Sequence, residues 1–150
     1  MTAYFVDTSA IGKRYLVEIG STWIESIAQP SSGNRIVISD LTEVEVWSAI
    51  ERKLREARIS LSDATRFQNE FMVDVKNQYI TVAVSELVRK RARDLLSTYP
   101  LRAMDAIQLA SALEILPQVG TSLIFVSADR ALLSAAGAEG LATDNPLLHP

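Results

Sequence analysis

Tyr4-Phe5-Val6-Asp7-Thr8-Ser9-Ala10 is the stretch that decides the fold. Its apolar opening predicts a short buried strand over residues 3–6. Asp7-Thr8-Ser9 is then the vocabulary of a helix start, with the helix running to about Leu16. An acid therefore sits where strand gives way to helix. Three further acids lie directly against apolar runs. Asp129 follows Leu123-Ile124-Phe125-Val126, Glu45 lies amid Val44, Val46 and Trp47, and Asp105 lies amid Ala106, Ile107 and Leu109. A carboxylate near a core is costly unless something positive or hydrogen-bonding compensates it. Four of them, spread along the chain, suggest one site that gathers negative charge around a hard divalent cation.

Working outward, the pattern of strand followed by helix repeats. A helix is predicted over 22–29, loop chemistry over Pro30 to Asn34, and a β-branched strand at Ile36-Val37-Ile38. Ser39 or Asp40 caps a long helix to about Ala57, and Ser60 or Ser62 starts another to about Val75. A strand follows at Tyr79 to Val82, then a basic amphipathic helix over 85–97 and an alanine-rich helix over 103–115. Leu123 to Val126 is a strand, Arg130 to Ala136 a helix that stops at Gly137 or Gly140, and Leu141-Ala142-Thr143 a last short strand. The strands are continuous apolar runs, so they are expected to be buried on both faces. That predicts an α/β fold with a parallel sheet covered by helices. No repeat, low-complexity tail or linker interrupts it, and residues 1–150 read as one domain. In such sheets ligands bind beyond the carboxyl ends of the strands, where Asp7 and Asp129 fall.

Composition narrows the chemistry. There are no cysteines, which removes disulfides, Cys-ligated zinc, iron–sulfur clusters and thiol nucleophiles. The single histidine, His149, is one residue from the C-terminus, where mobility argues against a histidine triad or general base. Carboxylate, hydroxyl, lysine or metal chemistry remains. A net charge of −3 excludes nucleic-acid binding by blanket phosphate neutralisation, so any such role needs a metal and local basic segments, or the help of a partner. The N-terminus lacks the pattern of a signal peptide, and no apolar run is long enough to span a bilayer. The cytoplasm is the expected location.

Each acid also has a plainer reading. Asp7 and Asp129 are good helix N-caps, although Thr8 or Ser9 could cap in place of Asp7. Asp105 is a first-turn acid favoured by the helix dipole, on an apolar stripe with Leu109 and Ala112. Glu43 and Glu45 are two apart and face different ways. Val46, Trp47, Ile50 and Leu54 form an arc containing Glu43, while Glu45 shares a face with Ser48 and Ala49. Four unrelated caps explain the joint pattern poorly. Carboxylates meeting at one point repel by a few kcal/mol per close pair at an effective dielectric of about 20, and Mg²⁺ or Mn²⁺ cancels that repulsion. The basic sets Arg52, Lys53, Arg55, Arg58 and Arg89, Lys90, Arg91, Arg93 are candidate RNA-backbone contacts or simply solvated helix faces.

With these residues in hand, the chain resembles the PIN-domain ribonucleases of the VapC toxin type. The opening strand ending in Asp7-Thr8-Ser9 resembles the family's start. Ile38-Ser39-Asp40-Leu41-Thr42-Glu43-Val44-Glu45-Val46 resembles the second motif, an alignment that selects Glu45 over Glu43. Leu101 to Ala110 is similar to the third, where an Asp-Ala pair opens a helix, and Phe125 to Arg130 to the fourth. The tail from Gly140-Leu141 to Asn145-Pro146 also matches. Gln108 stands where many relatives carry His, a departure to which no function is attached. The resemblance implies a Rossmann-like three-layer α/β/α sandwich and a Mg²⁺- or Mn²⁺-dependent endoribonuclease. It implies Asp7 and Asp105 as the main metal ligands, with Glu45 and Asp129 completing the acidic pocket directly or through water. Ser9 or Thr8 would orient the water or the phosphate. It further implies a homodimer held inactive by a cognate antitoxin. Trp23 and Trp47 could serve partner surfaces or the core.

Other classes fit less well. A phosphate-transfer receiver needs an acid pair on its first strand end and a Lys after a late strand; Asp7 is single and no Lys follows residue 90. A haloacid-dehalogenase-like phosphatase needs a second acid where Ser9 stands. The serious rival is a PIN-like domain that binds RNA or protein without cutting. An acidic cluster would only repel RNA in a pure binder, and such a module should ignore EDTA.

Overall fold

Among the described residues, five parallel strands run in the order β3-β2-β1-β4-β5, with β1 (Ala3–Val6) at the centre. β2 (Arg35–Ser39) and β3 (Ile80–Val82) extend the sheet on one side, β4 (Leu123–Val126) and β5 (Ala142–Asp144) on the other. The computed structural model describes residues 1–120 and 122–150. Strand alternation sorts the side chains into two cores. Ala3, Phe5, Val37, Leu123 and Phe125 enter one face, Val6, Ile36, Ile38 and Val126 the other. Phe5 and Phe125, paired in register, stack with centroids 5.6 Å apart.

Among the described residues seven helices cover these faces. α1 (Thr8–Ile11), α2 (Ser21–Ala28), α3 (Leu41–Arg55) and α4 (Leu61–Asn77) bury Ala10, Ile24, Val46, Ile50 and Phe71 on one side. α5 (Glu86–Thr98), α6 (Ala103–Val119) and α7 (Arg130–Ala138) bury Val88, Leu95, Leu109 and Leu132 on the other. This is the expected three-layer α/β/α sandwich with a parallel central sheet. Among the described residues no helix is long and apolar enough to cross a membrane.

Several expected boundaries move, each for a local reason. α1 ends at Ile11 rather than near Leu16, because the chain tightens into a 3₁₀ turn over Gly12–Arg14. α3 stops at Arg55, and Ala57 lies in the left-handed region at φ 56°. α6 continues past 115 to Val119 and carries Pro117 in its last turn. Asp40, not Ser39, occupies the N-cap position of α3, but its side chain makes no capping bond; Ser39 Oγ instead accepts from the Leu41 amide at 3.2 Å. Burial on both strand faces holds for β1 and β4 but not for β3 and β5, which form the sheet edges and expose most of their residues.

The C-terminal segment packs against α2. Trp23 stacks on the His149 ring at 4.2 Å, and His149 Nε2 lies 2.8 Å from Asp144 Oδ1. Trp23 thus anchors the tail, while Trp47 stays partly exposed on α3.

Candidate active site

The crevice forms where strand order reverses. β1 leads to β2 on one side and pairs with β4 on the other, so the carboxyl ends of β1 and β4 part at a topological switch point. Asp7 follows β1 there, and Ser127 and Asp129 follow β4. Asp7 Oδ2 accepts from Ser127 Oγ at 2.6 Å across the crevice, and Oδ1 accepts from Ser9 Oγ at 2.7 Å and the Ala10 amide at 3.0 Å. Asp7 is therefore the N-cap of α1 as well as a site acid, and Ser9 supports it rather than replacing it as a cap. Asp129 plays the same double part, capping α7 through the Leu132 amide at 3.1 Å.

All four expected acids line one cleft of about 750 Å³, with Thr8, Ser9 and Gln108 among its other walls. Glu45 enters from α3 because Thr42, Val46 and Ile50, its buried face, fix the helix rotation. Glu43 instead lines an adjoining shallow surface with Trp47 and Arg55. Asp105 comes from the first turn of α6, whose small residues Ala106, Ala110, Ser111 and Ala112 are buried and let the helix sit close to the sheet.

The electrostatics show the acids sensing each other. Burial lifts the Asp7 carboxyl from 3.8 to about 6, against the lowering effect of Ser127, Ser9 and the Ala10 amide, and with a small push from the Asp105 charge. Asp105 is also raised, first by burial and then by the Asp129 and Glu45 charges, while Arg102 opposes them. The exposed Arg102 guanidinium lies 3.6 Å from Asp105 and 4.0 Å from Asp129 and screens the pair from each other. Even so, among the described residues no three acids come close enough to form a ready metal cage. The four acids nevertheless line one common cleft.

Two side chains carry roles that the sequence did not disclose. Gln108 is buried in the cleft wall, and its Nε2 donates to Glu45 Oε1 at 3.0 Å and to the hydroxyls of Thr8 and Thr42, both at 3.1 Å. Thr8 Oγ1 also donates to Glu45 Oε1 at 2.7 Å, so Thr8 holds an acid. Glu45 is thereby gripped by one oxygen. Ser127, the other missed residue, could have been found from its place directly after a strand in the fourth acidic motif. No local signal marks Gln108, whose partners lie far away in sequence.

The two basic sets separate. Arg52, Lys53 and Arg58 line the acid cleft, whereas Arg55 faces the shallow surface with Glu43. The set on α5 lies across the sheet, where Arg91 pairs with Glu114 at 2.7 Å and Arg89 bonds the Val84 carbonyl.

A three-layer parallel sandwich with carboxylates at its switch point defines the class: an α/β protein built to bind at the strand carboxyl ends. The PIN domain family model matches residues 4–138, and the chain belongs to the PIN domain family. No protein of curated function matches the sequence. Solved structures share the fold at low identity. PAE2754 from Pyrobaculum aerophilum superposes with a TM-score of 0.63 at 20% identity, covering 95% of this chain and 83% of that one. VapBC2 from Rickettsia felis, bound to a DNA fragment from its promoter, gives 0.65 at 11% identity, covering 95% and 98%. A toxin–antitoxin complex from Klebsiella pneumoniae gives 0.63 at 15% identity, covering 95% and 97%.

Proposed function

We propose that this chain is a metal-dependent endoribonuclease of the VapC toxin type, hydrolysing RNA in the acid-lined cleft and neutralised by a cognate antitoxin. One observation carries the reading: Asp7, Glu45, Asp105 and Asp129, from four separate segments, all line the cleft at the switch point of the sheet. Membership of the PIN family and the likeness to toxin–antitoxin complexes support it. The same reading makes the protein a cytoplasmic homodimer with no membrane partner.

The donors suit Mg²⁺ or Mn²⁺. They are oxygens throughout, and hard cations of this size take one or two carboxylates, several waters and a substrate phosphate rather than a closed protein cage. Acids that stand apart fit that habit. Asp7 and Asp105 would be the main ligands, with Glu45 and Asp129 completing the pocket. Such a cation supplies a Lewis acid for the scissile phosphate and lowers the pKa of a bound water. The protein's own part is positioning. Ser127, Ser9 and the Ala10 amide fix the Asp7 carboxylate; Oδ1 accepts two of these bonds, and Oδ2, which accepts one, keeps a lone pair for a ligand. Thr8 and Gln108 hold Glu45 Oε1 and leave its Oε2 without a hydrogen-bond partner among the described residues.

The direct test is cleavage of total RNA by the purified, antitoxin-free chain with Mg²⁺ or Mn²⁺, beside an EDTA control and Asp105→Asn. Metal-dependent cutting that disappears in the variant is expected. The rival is a PIN-like domain that binds RNA or protein without cutting. A folded chain that neither cuts RNA nor takes up Mn²⁺ in calorimetry would establish that rival.

A further inference from the structure

The cleft has a second, basic half that the chemistry above does not use. Helix α3 supplies Glu45, Ser48, Ala49, Arg52 and Lys53 to the cleft. These positions recur at the spacing of one helix face. The face starts with an acid, passes two small side chains, and ends in two cations about 10 Å further along the axis. Two other acids of the cleft are already matched, Glu18 by Lys13 at 3.8 Å and Glu56 by Arg58 at 3.7 Å. Among the described residues Arg52 and Lys53 join no ion pair, so their charge is open to a ligand.

We propose that this face of α3 is the track for a single-stranded RNA segment, with Arg52 and Lys53 holding phosphates that neighbour the scissile one. The inference rests on the ribonuclease reading and adds where the strand lies and which form of RNA enters. A net charge of −3 gives the protein no general attraction for nucleic acid, so local cations beside the acids must supply it. Ser48 and Ala49 leave room for a backbone to lie close to the helix. The acid end is recessed, with Asp7 only 4% exposed. A-form duplex holds its phosphates in fixed places on a convex surface, while a single strand can bend into the recess and still follow α3. An acidic peptide would satisfy the same cations but offer the carboxylate end nothing to act on. A phosphodiester strand uses both ends.

The test is fluorescence anisotropy of a labelled single-stranded RNA oligonucleotide on Asp105→Asn protein in Mg²⁺, titrated with salt. The same protein carrying Arg52→Gln with Lys53→Gln is compared with one carrying Lys90→Gln with Arg93→Gln, on α5 across the sheet. The α3 pair should make the slope of log Kobs against log salt shallower by about 0.7 per lost phosphate contact, about 1.4 in all. The α5 pair should leave it unchanged, and a duplex of the same sequence should compete poorly. An unchanged slope in the α3 pair, an equal effect from the α5 pair, or full competition by duplex overturns the track. So does a polyglutamate peptide that needs Arg52 and Lys53 when RNA does not. In the otherwise wild-type chain the α3 pair should raise KM for cleavage while kcat and Mn²⁺ binding hold. Cleavage at unchanged KM sinks the track and spares the nuclease. Salt-sensitive binding through Arg52 and Lys53 in a wild type that cuts nothing sinks the nuclease and spares the track.

Discussion

Replacing Asp7 by Asn should stabilise the metal-free protein, and the gain should grow with pH. Asp7 is buried, and its carboxyl is raised from 3.8 to about 6, chiefly by loss of solvent. The folded state therefore binds the Asp7 proton more tightly than the unfolded state. Stability from this group is full below about pH 3.8 and is lost as pH rises through about 6. The gap between the two values, at about 1.4 kcal/mol per pH unit, is about 3 kcal/mol. Asn carries no charge to bury, so the difference in stability between variant and wild type should shift in favour of Asn by up to about 3 kcal/mol between about pH 4 and about pH 7. The absolute offset is smaller, because Asn cannot accept from both Ser9 and Ser127, and each lost bond removes about 1 kcal/mol. The pH slope is free of that offset. Urea unfolding of both proteins in EDTA across this range measures it, and for a chain of this size about 3 kcal/mol corresponds to roughly 6–12 °C in Tm. A difference that stays flat with pH, or that turns against Asn as pH rises, would refute the assignment of a strained, buried charge at the switch point.

Other expectations follow from the same cleft. Mn²⁺ at about 100 times its Kd should stabilise the wild type by about 2.7 kcal/mol in thermal unfolding, and Asp105→Asn should lose most of that gain. Gln108→Leu should lower stability by about 1–3 kcal/mol by leaving Glu45, Thr8 and Thr42 short of a donor, and should slow cleavage. Gln108→Glu should be worse at neutral pH than at mildly acidic pH, since it sets a second carboxylate beside Glu45; parallel denaturation curves decide it. Gly20→Ala should destabilise by about 1–3 kcal/mol in the same assay, because φ is +91° and a Cβ would stand 2.6 Å from the Pro146 carbonyl oxygen.

What the sequence disclosed of this site depended on chain-local signals. Asp7 and Asp129 announce themselves because each follows an apolar strand and each also caps the next helix, so one short stretch of sequence contains the whole signal. Glu45 could be separated from Glu43 only by resemblance, since apolar spacing alone put Glu43 in the arc. In the structure the buried face is Thr42, Val46 and Ile50, and Trp47 is exposed, so the buried stripe is narrower than the apolar spacing implies. Gln108 was illegible for a different reason. A glutamine amid apolar residues has no local meaning until its partners at positions 8, 42 and 45 arrive, the nearest of them 63 residues away in sequence.

The two basic sets make the same point about topology. Both sit on amphipathic helices, and composition treats them alike. They differ because the 45–53 face of α3 lines the acid cleft, while Lys90 and Arg91 of α5 line a separate surface with Asp94 and Glu114. Sheet sidedness is fixed by the order in which parallel strands are joined, a long-range property that no window of sequence contains. The same sidedness explains why the acids are both buried and separated. The switch point draws Asp7 in under β4, while α3 and α6 bring Glu45 and Asp105 from different layers. The fold thus brings like charges into one cleft that they would leave if free to move, and the hydroxyl and amide donors around Asp7 and Glu45 oppose that tendency. A site of this kind should be a weak point of the apo protein and a strong point once a cation binds, so replacing its most buried acid, Asp7, by the amide is expected to remove activity and leave the metal-free fold more stable, not less.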